Sequence, residues 1–125
     1  MLSVLFVRLG GFVGAAGRYL MGLLPLGKGT FPLCTLLINF LGSFAIGVLS
    51  ALADNGVFGR RPELLLFLKT GVCGGFTTFS TFSLETATLL EEGHRLTAVG
   101  YAGASCLLCV AGVFAGRLLT RALAR

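Results

Sequence analysis

The sequence predicts an all-α membrane protein in which four helices cross the bilayer. Of the 125 residues, 55% are hydrophobic and only 12% are charged, and the mean hydropathy is +0.92. A soluble domain carries about 25% charged residues, so this composition argues against a water-soluble core. Apolar runs of the length that a spanning helix needs, roughly 20 residues, cover most of the chain.

The four runs set the expected helices in order along the chain. The first is too long and too rich in glycine for the apolar core of a signal peptide, and the second, from Phe31 to Ala53, contains no charged residue. Short connections with Gly, Pro and Asn separate the runs. We expect a single domain, 1–125, with helices at 3–24, 31–53, 63–90 (broken near 74–78) and 96–119.

The net charge of +5 comes mostly from bases that flank the apolar runs. Bases at such positions contact lipid headgroups and set topology, so we predict a multi-pass protein of the cell membrane with no nucleic-acid partner. With four spans, the side that holds the termini has five bases and the other side has three, a weak bias that leans toward cytoplasmic termini and does not settle the orientation. The first set is Arg60, Arg61, Arg117, Arg121 and Arg125, and the second is Arg18, Lys28 and Arg95.

Polar residues recur every three or four positions in three of the four runs, which places them in stripes along helix faces. Lipid offers no hydrogen bonds, so such stripes face protein or water. An ionisable group within a span, here Glu85, is a candidate functional residue. The stripes are Thr35, Asn39, Ser43, Gly47 and Ser50; then Thr78, Thr81, Glu85, Thr88 and Glu92; then Tyr101, Ser105, Cys109 and Gly112.

The stripes are rich in amide, hydroxyl and phenol donors, and phenylalanine rings add electropositive edges. Such groups replace water around a small anion without a fixed charge that would hold it. No nucleophile–base pair, phosphate-binding loop or cofactor motif occurs, so we predict conduction rather than catalysis. For any single hydroxyl, interhelical packing remains an alternative, and the Gly10/Gly14 and Gly112/Gly116 pairs fit such packing. The four cysteines, all in apolar runs, are interpreted as small packing residues, with a metal site or a disulfide at the CxxC of Cys106 and Cys109 as the alternative.

The segment GVCGGFTTFSTFSLE, residues 71–85, combines three glycines with two consecutive threonines inside an apolar run. Each glycine weakens a helix by about 1 kcal/mol relative to alanine, and β-branched threonines resist it slightly. We therefore predict an interruption of the third helix between Gly74 and Thr78. Backbone carbonyls freed there need a partner, because lipid supplies none.

Three motifs resemble the Fluc/CrcB family of small fluoride channels, over essentially the whole chain. They are GxxGAxxRY (11–19), TLLINFLGSFAIG (35–47) and GGFTTFSTFSLE (74–85). The resemblance implies a passive fluoride-selective channel that exports F⁻ and so confers fluoride resistance. It also implies an antiparallel, dual-topology homodimer with two pores and a structural Na⁺ on the dimer axis.

By the same resemblance, Asn39, Phe79 and Phe82 match the central residues of the fluoride pathway. Backbone carbonyls of Gly74 and Thr77 match the Na⁺ ligands. Carbonyl oxygens suit a hard cation such as Na⁺, whereas Zn²⁺ prefers nitrogen or sulfur ligands. Cys109 departs from the pattern, because a hydroxyl is expected one turn beyond Ser105. The remaining pathway residues are Ser43, Ser80, Thr81, Glu85, Tyr101, Ser105 and, near the end of the first helix, Arg18.

Two other functions are compatible with four short spans. A small dual-topology exporter of cationic drugs needs a buried carboxylate for proton exchange, and Glu85 is the sole candidate, since 3–24 contains no acid. A membrane scaffold without transport would need only the packing role of the stripes. Flux measurements in liposomes distinguish the three.

Overall fold

The computed structural model describes residues 1–27 and 29–124, and no strand occurs among them. Among these described residues, four segments are long and apolar enough to cross a membrane, which confirms the predicted all-α fold of a multi-pass membrane protein. The third span, Pro62–Glu91, consists of two helices joined by a short extended link. We name the helices α1 (Leu2–Gly22), α2 (Leu33–Asp54), α3 (62–76), α4 (Phe79–Glu91) and α5 (Arg95–Leu123).

The interruption of the third span lies at two residues, Thr77 and Thr78. Their backbone angles are extended, with φ −76° and ψ 154° at Thr77 and φ −148° and ψ 112° at Thr78. Residues Gly74–Phe76 remain helical, and the Thr77 N–H still donates to Cys73 O at 3.0 Å. The interruption is therefore shorter than the predicted range and occupies its C-terminal end.

The glycines of the third span serve mainly to let α3 approach α1. A Cβ added to Gly71 would lie 2.7 Å from the Gly10 Cα, and one added to Gly75 would lie 2.6 Å from Gly11 O. Only glycine permits backbones this close. The prediction that the interruption starts at Gly74 is wrong, because Gly74–Phe76 remain helical, and packing against α1 accounts for Gly71 and Gly75. Gly74 is different, since nothing lies within 4 Å of a Cβ added there.

Much of α3 has wider turns than an α-helix. Residues Leu66–Cys73 form π-helical turns, between α-helical turns at Pro62–Leu65 and Gly74–Phe76. A π-helix closes i→i+5 hydrogen bonds and is uncommon over more than one turn. The hydropathy pattern does not predict this feature, because an apolar run has the same composition in either kind of helix.

The α2 helix packs along α5 in an extensive contact, as α1 does along α3. Small residues bring the two helices together: a Cβ on Gly47 would collide with Val113 O, and one on Gly116 would collide with Phe44 O. One end of this pair holds the buried apolar cluster of Leu36, Leu89, Ala98 and Tyr101. The cluster ties α4 to the α2–α5 pair and so positions the polar residues of α4.

Candidate functional site

Asn39 on α2 holds the interruption of the third span through two hydrogen bonds to Thr78. Its Nδ2 donates to Thr78 O at 3.1 Å, and its Oδ1 accepts from the Thr78 N–H at 2.7 Å. One amide side chain thus satisfies both backbone groups of a residue that has left the helix, as an adjacent strand would. Asn39 is predicted to line the pathway; in the structure it is also a structural support.

Thr78 also begins the next helix, because its side chain caps α4. The Thr78 Oγ1 accepts from the Thr81 N–H at 3.2 Å and donates to the Thr81 Oγ1 at 3.0 Å. The Ser80 Oγ lies 3.3 Å from the same Thr78 oxygen. These bonds gather the predicted polar residues Ser80 and Thr81 around the start of α4.

The four carbonyls of residues 74–77, before and at the interruption, lose the donors that an uninterrupted α-helix would give them. The Thr78 N–H, which would bond to Gly74 O, donates to Asn39 instead, and the Thr81 N–H, which would bond to Thr77 O, donates to Thr78 Oγ1. Gly75 O accepts from Arg18 Nε at 3.2 Å. Arg18 therefore supports the C-terminal end of α3, where a cation complements the helix dipole.

Glu85 lies one turn beyond Thr81 and accepts two short hydrogen bonds. Thr35 Oγ1 donates to Glu85 Oε1 at 2.7 Å, and the Tyr101 hydroxyl donates to Glu85 Oε2 at 2.6 Å. Thr35 is buried and Tyr101 is fully buried. The triad joins α2, α4 and α5 at one point, so the carboxylate within the span is fully supported by donors. Thr35 was not predicted as a site residue, although it lies one turn before Asn39 in the same stripe.

Aromatic rings form a row beside these polar groups. The Phe79 and Phe82 ring centroids are 5.3 Å apart, and the Phe82 and Tyr101 centroids are 5.2 Å apart. Phe31 adds an edge-on contact to Tyr101 at 5.6 Å, and this contact was not predicted from the sequence. Phe79 is 77% exposed in the single chain, so its ring edges are accessible to a small ion or a second subunit.

A groove of about 390 Å³, here called the central groove, runs beside the interruption. The predicted site residues in its wall are Asn39, Ser43, Gly74, Thr77, Phe79, Phe82 and Ser105. Ser105 is 7% exposed, and its Oγ has no hydrogen-bond partner among the described residues. A buried hydroxyl without a partner is unusual, so this wall has a donor to offer to a bound group.

Two further cavities lie beyond the interruption, and each shares a wall residue with its neighbour. The Arg18 cavity, about 490 Å³, shares Thr78 with the central groove and also has Thr81 and Glu85 in its wall. The outer cavity, about 570 Å³, shares Glu85 with the Arg18 cavity and reaches Glu92. Most predicted residues thus line one of three adjoining spaces. Ser80 is exposed outside them, and Tyr101 lies buried behind Glu85.

Comparison with known proteins identifies the relatives of this chain. The family described as "CrcB-like protein, Camphor Resistance (CrcB)" matches residues 5–117. The chain belongs to this family. Among curated CrcB relatives, the "Fluoride-specific ion channel FluC" of Rhodospirillum centenum is 49% identical over 97% of this chain and 97% of its own length. The protein of the same description from Ruminiclostridium cellulolyticum is 45% identical over 99% of this chain and 96% of its own length.

The CrcB assignment agrees with the motifs that the sequence analysis used. Residues 5–117 include the polar stripes of α2 and α4, the interruption and the Glu85 triad. A third relative, the "Fluoride-specific ion channel FluC" of Rhizobium meliloti, is 44% identical over 98% of this chain. The resemblance to this family is thereby confirmed, and ion-channel relatives argue for a transport protein rather than an enzyme.

Proposed function

We propose that this chain is a passive, fluoride-selective ion channel through which F⁻ leaves the cell down its electrochemical gradient. The observation that carries the proposal is the chemistry of the central groove. Its wall combines the amide of Asn39, the hydroxyls of Ser43 and Ser105 and the rings of Phe79 and Phe82. All of these are donors or electropositive ring edges suited to a small anion.

The absence of basic side chains from the described wall of the central groove supports conduction rather than tight binding. The described residues of its wall include neither Lys nor Arg, and an ion that binds weakly at several sites leaves more easily than one held by a full charge. Arg18 lies in the adjoining cavity, where a positive charge attracts anions before they reach the groove.

The direction of transport follows from the membrane potential. An inside-negative potential favours efflux of a monovalent anion by about 2.3 kcal/mol per 100 mV. HF crosses membranes and dissociates in a more alkaline cytoplasm, so a passive exit for F⁻ lowers the internal fluoride concentration without ATP. Fluoride resistance is the role that we propose for the channel in the cell.

We further propose that the channel is an antiparallel homodimer with two pathways. In the single chain, only 11% of the most hydrophobic 18-residue stretch of α1 is buried, and the same share holds for the third span. Phe79 and Ser80 are exposed near the middle of the third span, where lipid would leave the Ser80 hydroxyl poorly satisfied. A second, inverted copy would cover this surface, and the weak charge bias of the loops permits both orientations.

The freed carbonyls at the interruption support a structural Na⁺ between the two copies. In an α-helix, Gly74 O and Thr77 O would accept from the N–H groups four residues later. Here those N–H groups donate to Asn39 and to the Thr78 hydroxyl instead. Nothing lies within 4 Å of a Cβ added to Gly74, so this side of α3 is accessible to another subunit. Carbonyl oxygens are hard ligands that suit an alkali cation. When bound, the ion would supply positive charge at the middle of the membrane.

Flux through reconstituted protein tests the proposed function against its alternatives. Proteoliposomes loaded with KF are diluted into fluoride-free buffer, and valinomycin then supplies the compensating K⁺ flux. We expect F⁻ efflux on a fluoride electrode that requires valinomycin, and no comparable efflux of Cl⁻ from KCl-loaded liposomes. Proton-coupled uptake of a cationic drug would instead support an exporter, and the absence of either flux would support a scaffold.

A further inference from the structure

Three of the four cysteines lie in the wall of the central groove, and the proposed pathway uses none of them. They are Cys73 on α3 and Cys106 and Cys109 on α5. All three are free thiols; Cys73 is buried, Cys109 is half-buried and Cys106 is exposed in the single chain. Cys106 and Cys109 are three residues apart on one helix, so their side chains share a face.

A second observation in the same wall points to a bound group. Ser105 precedes Cys106 and is 93% buried (7% exposed), yet its Oγ has no partner among the described residues. The hydroxyl and the two thiols of α5 therefore border the same space. Proteins rarely leave such a hydroxyl unsatisfied unless a ligand or water occupies the space.

The chemistry of these side chains selects soft cations. Sulfur ligands prefer soft metal ions such as Cu(I) over hard ions such as Mg²⁺. Within 1–27 and 29–124, no three His, Cys, Asp or Glu side chains form a group that could hold a metal ion. These described residues therefore offer no centre of three or more such side chains for a metal ion. Reaction at one or two sulfurs, as a monovalent thiophilic ion requires, remains compatible with the geometry.

We propose that Cys106 and Cys109 form a binding site for a soft monovalent cation, and that its occupation closes the fluoride pathway. The inference rests on the proposed function, because it places the site in the conducting groove. For Ag⁺ the reaction is a substitution at sulfur: the S–H bond breaks, an S–Ag bond forms and the proton passes to water, with no change of oxidation state. The bound ion fills part of a groove of about 390 Å³.

Two effects of the bound cation act in the same direction. The ion occupies space that F⁻ must cross, and it adds a positive charge at α5, where the described groove wall has neither Lys nor Arg. A full charge within the conduction path itself holds an anion too strongly for rapid release. We therefore expect bound Ag⁺ to block fluoride efflux, even where it leaves part of the groove open.

The test measures fluoride efflux from proteoliposomes with and without micromolar AgNO₃, in nitrate buffers free of chloride. The readout is the ratio of the two rates for each variant, so that a change in basal flux does not matter. We expect Ag⁺ to slow efflux through the unmodified protein by at least about tenfold, and dithiothreitol to restore it. The double variant Cys106→Ser/Cys109→Ser is expected to give a ratio near one.

Cys34→Ser is the matched control, because Cys34 lies outside the central groove and its Sγ donates to Met21 O at 3.5 Å. This variant should remain sensitive to Ag⁺. The inference is overturned if the unmodified protein conducts fluoride equally well with Ag⁺, or if the double variant remains as sensitive. Efflux without Ag⁺ reports separately on the proposed function.

A thiol-labelling experiment on the unmodified protein tests the site even if the double variant does not fold. N-ethylmaleimide labels free thiols in the unmodified protein, and peptide mass spectrometry locates the label. Ag⁺ should protect Cys106 and Cys109 from labelling, and dithiothreitol should reverse the protection. Equal labelling of both residues with and without Ag⁺ would contradict the proposed site.

Discussion

Asn39 and Thr78 pair side chain to backbone, with the amide donating at 3.1 Å and accepting at 2.7 Å. The pair explains how a membrane-spanning segment tolerates two extended residues. Both polar backbone groups of Thr78 are satisfied by a neighbouring helix, so neither is left to lipid. The same side chain lies in the wall of the central groove. Asn39 therefore supports the backbone and is also the residue proposed to contact the ion.

Asn39→Asp should abolish fluoride efflux. The carboxylate loses the donor to Thr78 O and places a negative charge in the groove wall. Two like charges 4 Å apart repel by about 4 kcal/mol at an effective dielectric constant of 20, roughly a thousandfold in rate. Asn55→Asp is the matched control, since Asn55 caps the far end of α2 and is exposed. Efflux from Asn39→Asp liposomes at the unmodified rate would contradict the assignment.

Phe79→Ile and Phe82→Ile should each slow fluoride efflux by roughly two- to tenfold. Isoleucine retains the apolar bulk but removes the electropositive ring edge, and aromatic contacts of this kind are worth about 0.5–1.5 kcal/mol. Phe12→Ile serves as the control, because Phe12 is on α1 and 74% exposed. The elution volume in detergent checks folding. If both variants fold and conduct normally, the rings are packing residues.

Glu85→Gln should alter the rate of fluoride efflux while leaving the exclusion of chloride intact. The two carboxylate oxygens of Glu85 accept from Thr35 and Tyr101, one each. The side chain of glutamine has one acceptor oxygen and one donor group, so it cannot accept at both positions. The electrode assay in KF and KCl measures both quantities. Glu91→Gln, at the exposed end of α4, removes the same charge elsewhere. Chloride efflux through Glu85→Gln would show that Glu85 sets selectivity.

Gly10→Ala should destabilise the fold by about 1–3 kcal/mol, the usual cost of overpacking. A Cβ at this position would collide with Phe67 O and lie 2.8 Å from the Gly71 Cα. Its neighbour provides the control, because nothing lies within 4 Å of a Cβ added to Gly11. Thermal unfolding in detergent, followed by circular dichroism, should give a lower midpoint for Gly10→Ala only. Equal midpoints would contradict the close contact of α1 and α3.

Removal of Na⁺ should lower the thermal midpoint of the purified protein. Gly74 O and Thr77 O have lost their ordinary helical donors, and a ligand that binds only the folded state stabilises it. Choline at equal ionic strength replaces Na⁺ in the measurement. The midpoint should rise again when Na⁺ is titrated back. A midpoint independent of Na⁺ would argue against the proposed ion.

Hydropathy and spacing were sufficient to predict the four spans, because lipid leaves few alternatives for a long apolar run. The stripes also placed Asn39 and Glu85 on inward faces. The Asn39–Thr78 pair was not predictable, since it depends on how α2 and the third span dock. The π-helical turns of 66–73 depend on the same kind of packing. The role of Thr35 was missed because interhelical packing is the more common role of any single hydroxyl in a stripe.

The order of residues along the chain bears on how the protein is made. Asn39 precedes the third span, so the side chain that supports the interruption is already synthesised when Thr78 emerges from the ribosome. Glu85 is in a different position, because one of its donors, Thr35, comes earlier and the other, Tyr101, lies 16 residues later. The interruption can therefore be stabilised during insertion of the third span, whereas the carboxylate has both its donors only after the last helix has entered the membrane.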